Sequence, residues 1–599
     1  MAQSGQRQSG SRSAQLDAEA LQQITERSQR VVERYLEHRR KDDGYQVVDP
    51  RTVLKAFQEV NQKATENPAG LIKEQTEYWS NMIELWQRTA TRMLLNKPVA
   101  PVIETPADDK RFKNEIWADN PLFDFIKQSY LLLSKHSRSA VESVEGVEPA
   151  TARKARFYTR QFVDALSPTN FPATNPLVLK ETVETRGNNL VRGLQHMLED
   201  LERGGGRLDL KMSDLKAFKL GENIASSPGK VIFENDLIQL IQYQPSTETV
   251  HQRPLLIVPP WINKFYILDL KPKNSFVKWA VDQGHTVFVI SWVNPEQKLA
   301  AKNFADYMLD GPLAALDAIR TATGEESVNI IGYCIGGTLV ASTLAYLAAK
   351  GEERVSSATL FTSLMDFSDV GDISVFIDDD QLKLLDDHMD QLGYLEGHHM
   401  ANAFNMLREN DLIWSFVINN YLLGKEPLPF DLLYWNSDST RMPAAMHSFY
   451  LRKMYHENRL REAGGIVLAN VPINLRLIKN PTYFLSTRED HIAPWRSTYA
   501  GTQLLSGPIR FVLGASGHVA GVINPPPATK YGYWTNETLP PAPEAWLANA
   551  TKHDGSWWED WARWIADYTG PRVPAHVPGD AGLTPIEDAP GRFVKLRVS

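Results

Sequence analysis

The chain has 599 residues, 43% of them hydrophobic, with a formal net charge of −8 and a single cysteine. That is ample apolar material for a folded chain of roughly two to four domains; no global basic field draws it to nucleic acid or anionic lipid, and one thiol closes no intramolecular disulfide. The leading "MAQSGQRQSG" lacks the apolar core of a secretory signal. The most apolar helical stretch, "LVASTLAYLAA" from Leu339, falls short of the ~20 apolar residues that span a bilayer. The expectation is therefore a cytoplasmic protein with no transmembrane segment and no nucleic-acid partner.

Residues 1–22, rich in Gln, Ser and Arg, predict a disordered lead-in. Residues 23–206 read as a helical N-terminal domain. Within it Trp79, Met82, Ile83, Trp86, Ala90, Met93 and Leu94 recur at helical spacing, a stripe expected to pack against the other helices. Three consecutive glycines, Gly204 to Gly206, have too much backbone freedom to lie within an element and mark the domain boundary.

From residue 207 to 599 the pattern changes. "KVIFENDLIQLIQYQP" reads as paired strands, and "PLLIVPP", "HTVFVISWV", "VNIIGY", "SSATLFTSL", "PTYFLSTRED" and "PIRFVLGASGH" as buried ones. Helical segments such as "SFVKWAVDQG" separate them. Strand–helix alternation of this kind predicts an α/β fold, a mostly parallel sheet covered on both faces. Between about 365 and 480 it gives way to a mainly helical insertion, expected to cap the strand ends where ligands bind.

The lone cysteine stands at the most informative point. In "VNIIGYCIGGTL" a strand runs into Gly332-Tyr333-Cys334-Ile335-Gly336 and then a helix. This is the nucleophile-elbow pattern of α/β-hydrolases with sulfur in place of the serine hydroxyl. The glycines permit the sharp turn, and the helix N-terminus favours a thiolate. In that fold an acid and then a histidine follow on later strands. Asp490 after "PTYFLSTRE" and His518 after "PIRFVLGASG" have the required order. His491 and Glu489 are rivals whose side chains would point away from the neighbour's at a strand exit. The oxyanion donors are expected to be the backbone N–H of Ile335 and one from the loop "PPWINKFYILDL", at Ile262 or Asn263. His398 and His399 in "EGHHM" read as solvated loop histidines, and His456 lacks the second histidine of a zincin helix. No metal and no nucleotide-binding loop are implied.

Beyond the elbow, "NPLFDFIKQSYLLL", "LSPTNFPATNP", "ENDLIQLIQYQP", "PPWINKFYILDL", "FNMLRENDLIW", "YWNSDSTRMP" and "GRFVKLR" resemble segments of the class I polyhydroxyalkanoate synthases, over about residues 115–597. The resemblance implies an α/β-hydrolase fold with a helical cap, and polymerisation of (R)-3-hydroxyacyl-CoA thioesters, short ones such as 3-hydroxybutyryl-CoA, with release of CoA. CoA is part of the substrate, and no separate cofactor is implied. Carried over by motif, Cys334 is the acyl-bearing nucleophile, His518 the base and Asp490 the acid. The resemblance further implies a homodimer and attachment to polyester granules with their associated proteins. Arg408 and Arg441 are candidate contacts for CoA phosphates, and Trp435 for the substrate channel. The competing readings are a cysteine-elbow thioesterase, distinguished by a free-acid product, and a scaffold without turnover, against which the intact Cys, Asp and His set argues.

Overall fold

The computed structural model describes residues 24, 26–32, 45–95, 99–526 and 530–597; the expected lead-in at 1–22 lies outside them. The chain divides into two compact units. One comprises residues up to Met212 together with Phe404–Leu428, the other Ser213–Ala403 with Pro429 onward.

The first unit is helical: α1 (Pro50–Glu66), α2 (Ala69–Leu95), α3 (Pro121–Glu142), α4 (Pro149–Ala165), α5 (Pro176–Glu184) and α6 (Asn188–Arg203). Four of these begin the same way. Asp49, Asn120, Glu148 and Asn175 each accept a hydrogen bond from a first-turn amide, and proline follows directly, where its missing N–H costs nothing. The expected packing of the α2 stripe is not what forms: Leu85 is buried, but Trp79, Ile83, Trp86, Met93 and Leu94 are exposed on the chain's surface. The reason is geometric. Trp79, Ile83 and Trp86 share a face that turns away from Leu85, and Trp86, though it meets Phe125 in a T-shaped contact with ring centres 5.0 Å apart, stays 63% exposed.

Residues 404–428, expected within the cap, belong to this helical unit instead. Tyr421 donates its hydroxyl hydrogen to Asp200 at 2.6 Å, and Asn189 donates to the Leu422 carbonyl at 2.8 Å. Gly193 lies so close to the Tyr421 main chain that a Cβ there would meet its carbonyl oxygen at 1.7 Å.

The second unit is built on an eleven-stranded sheet. Its strands are β1 (Gly229–Glu234), β2 (Ile238–Tyr243), β3 (Leu255–Val258), β4 (Val287–Trp292), β5 (Val328–Tyr333), β6 (Val355–Phe361), β7 (Thr482–Thr487), β8 (Ile509–Gly514), β9 (Tyr533–Thr535), β10 (Thr551–His553) and β11 (Glu587–Asp588). Their order is β10-β9-β8-β7-β6-β5-β3-β4-β2-β1-β11. The central run from β4 through β3, β5, β6 and β7 to β8 is parallel, and both flanks are antiparallel. Strands β2, β3, β4, β5 and β7 are buried at every residue, as expected where helices cover both faces of a sheet. The inversion of order at β3, which lies between β4 and β5, produces a crevice at the carboxyl ends of the strands. Cys334, Asp490 and His518 follow the carboxyl ends of β5, β7 and β8.

Candidate active site

β5 ends at Tyr333, and the next helix, α7 (Ile335–Lys350), starts two residues later, leaving Cys334 alone at the bend with φ 54° and ψ −125°. A positive φ at a non-glycine residue is strained, and here the surroundings enforce it. The Cys334 amide donates to the Phe361 carbonyl of neighbouring β6 at 2.9 Å, while its own carbonyl accepts from Gly337 at 2.9 Å. The glycines have measurable reasons. A Cβ on Gly332 would lie 2.4 Å from the Gly337 Cα, one on Gly336 2.3 Å from the Val258 carbonyl oxygen, and one on Gly337 1.8 Å from Ser363 Oγ. Helix α7 therefore lies directly on the ends of β3 and β5, which holds the sulfur above the sheet.

β7 and β8 run parallel in register, Thr487 opposite Gly514, so the loops leaving them exit side by side. From these loops come Asp490 and His518, with His518 Nδ1 2.7 Å from Asp490 Oδ2. The carboxylate is held firmly: Oδ1 accepts from the amides of Ile492 and Ala493, both at 2.9 Å, and Oδ2 from the Thr487 hydroxyl at 3.1 Å. Glu489 beside it is exposed. Tyr333 donates its hydroxyl hydrogen to the His518 carbonyl at 3.1 Å and stacks on the imidazole, ring centres 5.7 Å apart.

Burial works against a charge on His518, but the Asp490 carboxylate and the Cys334 sulfur outweigh it, and the imidazole is pushed up to about 10. Asp490 and His518 thus form an acid–base pair at the same end of the sheet as the Cys334 elbow.

Two further residues belong to this neighbourhood and carry no motif. Tyr450 and Tyr455, on the π-helical turn Tyr450–His456, stand with ring centres 5.5 Å apart. Both phenols are pushed up by burial first, and both also feel Cys334. Five residues apart, they share a face because the turn is wound as a π-helix; ordinary helical spacing hides the pairing.

The remaining candidates distribute unevenly. Ile335 opens α7, so its N–H has no acceptor within the helix. The loop after β3 begins beside the elbow, at Val258 and Pro259. There Asn263 bridges to Ser439 and donates from its side chain to the Asn436 carbonyl at 3.3 Å. Trp435 lies in the main hydrophobic core, against which Cys334 also packs, and its indole N–H donates to the Lys264 carbonyl at 2.7 Å. A buried indole needs an acceptor, and this one secures the loop that carries Asn263. Arg408 lies in the helical unit and pairs with Asp411, its Nε 3.1 Å from the carboxylate. Arg441 lies over the Tyr394 ring at 4.6 Å, with its buried Nε lacking a hydrogen-bond acceptor. His398 and His399 are not loop residues: they lie on the helix Gly397–Leu407, and His399 is buried. His456 faces Asp379 at 3.2 Å.

Comparison with known proteins settles the lineage. Residues 108–280 match the family described as "Poly-beta-hydroxybutyrate polymerase (PhaC) N-terminus", and residues 261–525 match the alpha/beta hydrolase fold. The chain is 51% identical to the poly(3-hydroxyalkanoate) polymerase subunit PhaC of Rhizobium meliloti, over 91% of this chain and 89% of that protein. The chain belongs to the poly(3-hydroxyalkanoate) polymerase family. Within that family it is also 51% identical to the poly(3-hydroxyalkanoate) polymerase of Methylorubrum extorquens, over 89% of this chain and 88% of that protein. With the PhaC subunit of Cupriavidus necator it shares 43% over 88% of this chain and 89% of that one. The polymerase family and the hydrolase fold thus meet in one chain, with a cysteine at the hydrolase elbow. Among the described residues no helix is long and apolar enough to cross a membrane.

Proposed function

We propose that this protein polymerises short-chain (R)-3-hydroxyacyl-CoA thioesters, such as 3-hydroxybutyryl-CoA, into polyhydroxyalkanoate with release of CoA, through an acyl-enzyme on Cys334. The observation that carries this reading is the 2.7 Å bond between His518 and Asp490 beside the elbow sulfur, in a chain of the polymerase family.

The chemistry follows from the charges. Cys334 attacks the thioester carbonyl as a thiolate, with its proton held on His518. The tetrahedral oxyanion is stabilised by the Ile335 N–H and a second amide from the Ile262–Asn263 loop. The carbon–sulfur bond to CoA breaks, and the departing thiolate takes the proton from His518. One thioester has replaced another at nearly balanced free energy, so the acyl group stays activated; a serine would have formed a less reactive oxygen ester.

Acylation removes the negative charge from sulfur and with it part of what held His518 protonated. The imidazole, now neutral, accepts the proton of a 3-hydroxyl, whose oxygen attacks the acyl-Cys334 carbonyl. The bond to Cys334 breaks, an ester forms, and thiolate and imidazolium are restored. Asp490 orients His518 and assists this second deprotonation. Water is the competing nucleophile, and the buried Tyr450 and the partly buried Tyr455 help exclude it. Arg441, with its Nε unclaimed, is the candidate contact for a CoA phosphate.

Attachment to polyester granules and homodimerisation form part of the same proposal, and the exposed face of α2 offers apolar surface for either. The test is incubation of the purified protein with 3-hydroxybutyryl-CoA, following free thiol and turbidity together. Thiol release with rising turbidity supports polymerisation. Thiol release with free 3-hydroxybutyrate and a clear solution would make the protein a thioesterase.

A further inference from the structure

Away from the elbow, the second unit brings together three side chains that the proposed reaction does not use. His388 lies on the helix Asp379–Leu392, which ends at Gly393 with φ 84°. The chain reverses there, passes Tyr394 and Leu395, and presents Glu396 just before the helix that carries His399. His388 Nε2 lies 2.8 Å from Glu396 Oε2 and His399 Nε2 3.8 Å from the same oxygen. One ligand atom from each residue falls within 4.8 Å of the other two. The two imidazoles are nearly perpendicular, at 84° with ring centres 5.3 Å apart. Both histidines are buried, and Glu396 is partly so.

We infer that His388, Glu396 and His399 form a binding site for a divalent transition-metal ion, of which Zn²⁺ is the best match. Two imidazoles and a carboxylate suit zinc and its neighbours over magnesium or calcium, which prefer all-oxygen shells. Bonds of about 2.0–2.1 Å in a tetrahedral shell place neighbouring ligand atoms about 3.3 Å apart. The separations of 2.8 and 3.8 Å bracket that distance, so small side-chain rotations put all three on one ion. A water takes the fourth position. The ion ties the helix Asp379–Leu392 to the helix Gly397–Leu407 across the turn at Gly393. Its role is to pin this part of the insertion. The sequence pattern conceals the site because His388 precedes Glu396 by eight residues, outside the spacings of familiar zinc motifs.

The test uses the full chain without a polyhistidine tag, carrying Cys334→Ala so that the thiol does not compete. Co²⁺ is titrated and followed by its visible absorption, then displaced with Zn²⁺. The expected result is one equivalent per chain with a tetrahedral spectrum, affinity lowered by on the order of tenfold or more in His388→Gln and in Glu396→Gln, and a thermal midpoint raised by Zn²⁺ only where the three ligands are intact. His136→Gln serves as control, because His136 with Glu74 and Glu77 forms another cluster of potential ligands; it should leave the Co²⁺ spectrum unchanged. Absence of Co²⁺ and Zn²⁺ binding to the parent protein would overturn the inference, whatever the variants do. So would binding that survives both His388→Gln and Glu396→Gln, or that disappears with His136→Gln alone.

Discussion

Lys264 and Asp438 form a buried ion pair, Nζ to Oδ1 2.7 Å, immediately after the residue expected to complete the oxyanion hole. The ammonium is fully used: its other hydrogens go to the carbonyls of Val594 and Leu596 at 2.8 and 2.9 Å. Asp438 in turn accepts from the Tyr266 hydroxyl at 2.9 Å. The loop bearing Asn263, the segment bearing Trp435 and the end of the chain are thereby joined at one point. Lys264→Met is expected to leave Asp438 buried with a poorer partner, Arg597 at 3.5 Å. Losing one member of a buried pair costs about 3–5 kcal/mol, and the remaining arginine places the loss near the lower end. Urea unfolding measures it, and CoA release should fall with it; an unchanged unfolding midpoint would show the pair to be dispensable.

Gly336→Ala is expected to be far more harmful than a one-carbon change implies. The new Cβ would stand 2.3 Å from a main-chain oxygen of β3, and backbone yields less readily than a side chain. Overpacking of this kind costs about 1–3 kcal/mol, and the displacement falls on the elbow itself. CoA release should drop more than stability does; a fully active variant would mean that the elbow relaxes freely.

His518 makes a pH-dependent contribution whose sign is determined. Its folded value, about 10, lies above the ordinary 6.5. The stability it contributes is therefore complete below about 6.5 and is lost as the pH rises through 10. Between pH 6.5 and 10 the wild-type unfolding free energy should fall more steeply than that of His518→Gln. Parallel slopes would show that the imidazole is not held charged.

Trp86→Glu and Ile83→Glu, on the exposed face of α2, are expected to leave CoA release by the soluble enzyme within about twofold, since an exposed substitution away from the site changes stability by no more than about 0.5 kcal/mol. Dimer formation or adsorption to polymer should weaken. Sedimentation velocity and a granule-binding assay read the two separately. If neither changes, the face serves no association.

The parallel core was legible in the sequence because strands buried on both faces read as unbroken apolar runs: "LLIV", "VFVISW" and "TYFLST" became β3, β4 and β7. Strands β9, β10 and β11, with three, three and two residues, carry too short a pattern to show. The pairing of Asp490 with His518 was legible through the order that the elbow imposes. The assignment of 404–428 to the helical unit was not, because it depends on pairs such as Asp200 with Tyr421, separated by 221 residues. Trp435 and Lys264, 171 residues apart, are the same case. Trp79 and Trp86 mark the opposite limit: periodicity reveals a stripe but not whether anything covers it.

The account rests on the acyl-enzyme, and rapid-quench mass measurement of the intact protein after one equivalent of 3-hydroxybutyryl-CoA tests it most directly. With a single cysteine in the chain, the modified residue is located without ambiguity by digestion. The wild type should carry acyl units on Cys334 and grow them, Cys334→Ala should carry none, and Cys334→Ser should show only a small remnant of turnover. His518→Gln should fail to load. Asp490→Asn should load one unit slowly, because the helix N-terminus and His518 remain, and then elongate poorly. Equal loss of loading in the last two would mean that Asp490 works only through His518. An acyl unit found anywhere other than Cys334, or CoA release by Cys334→Ala at the wild-type rate, would contradict the account.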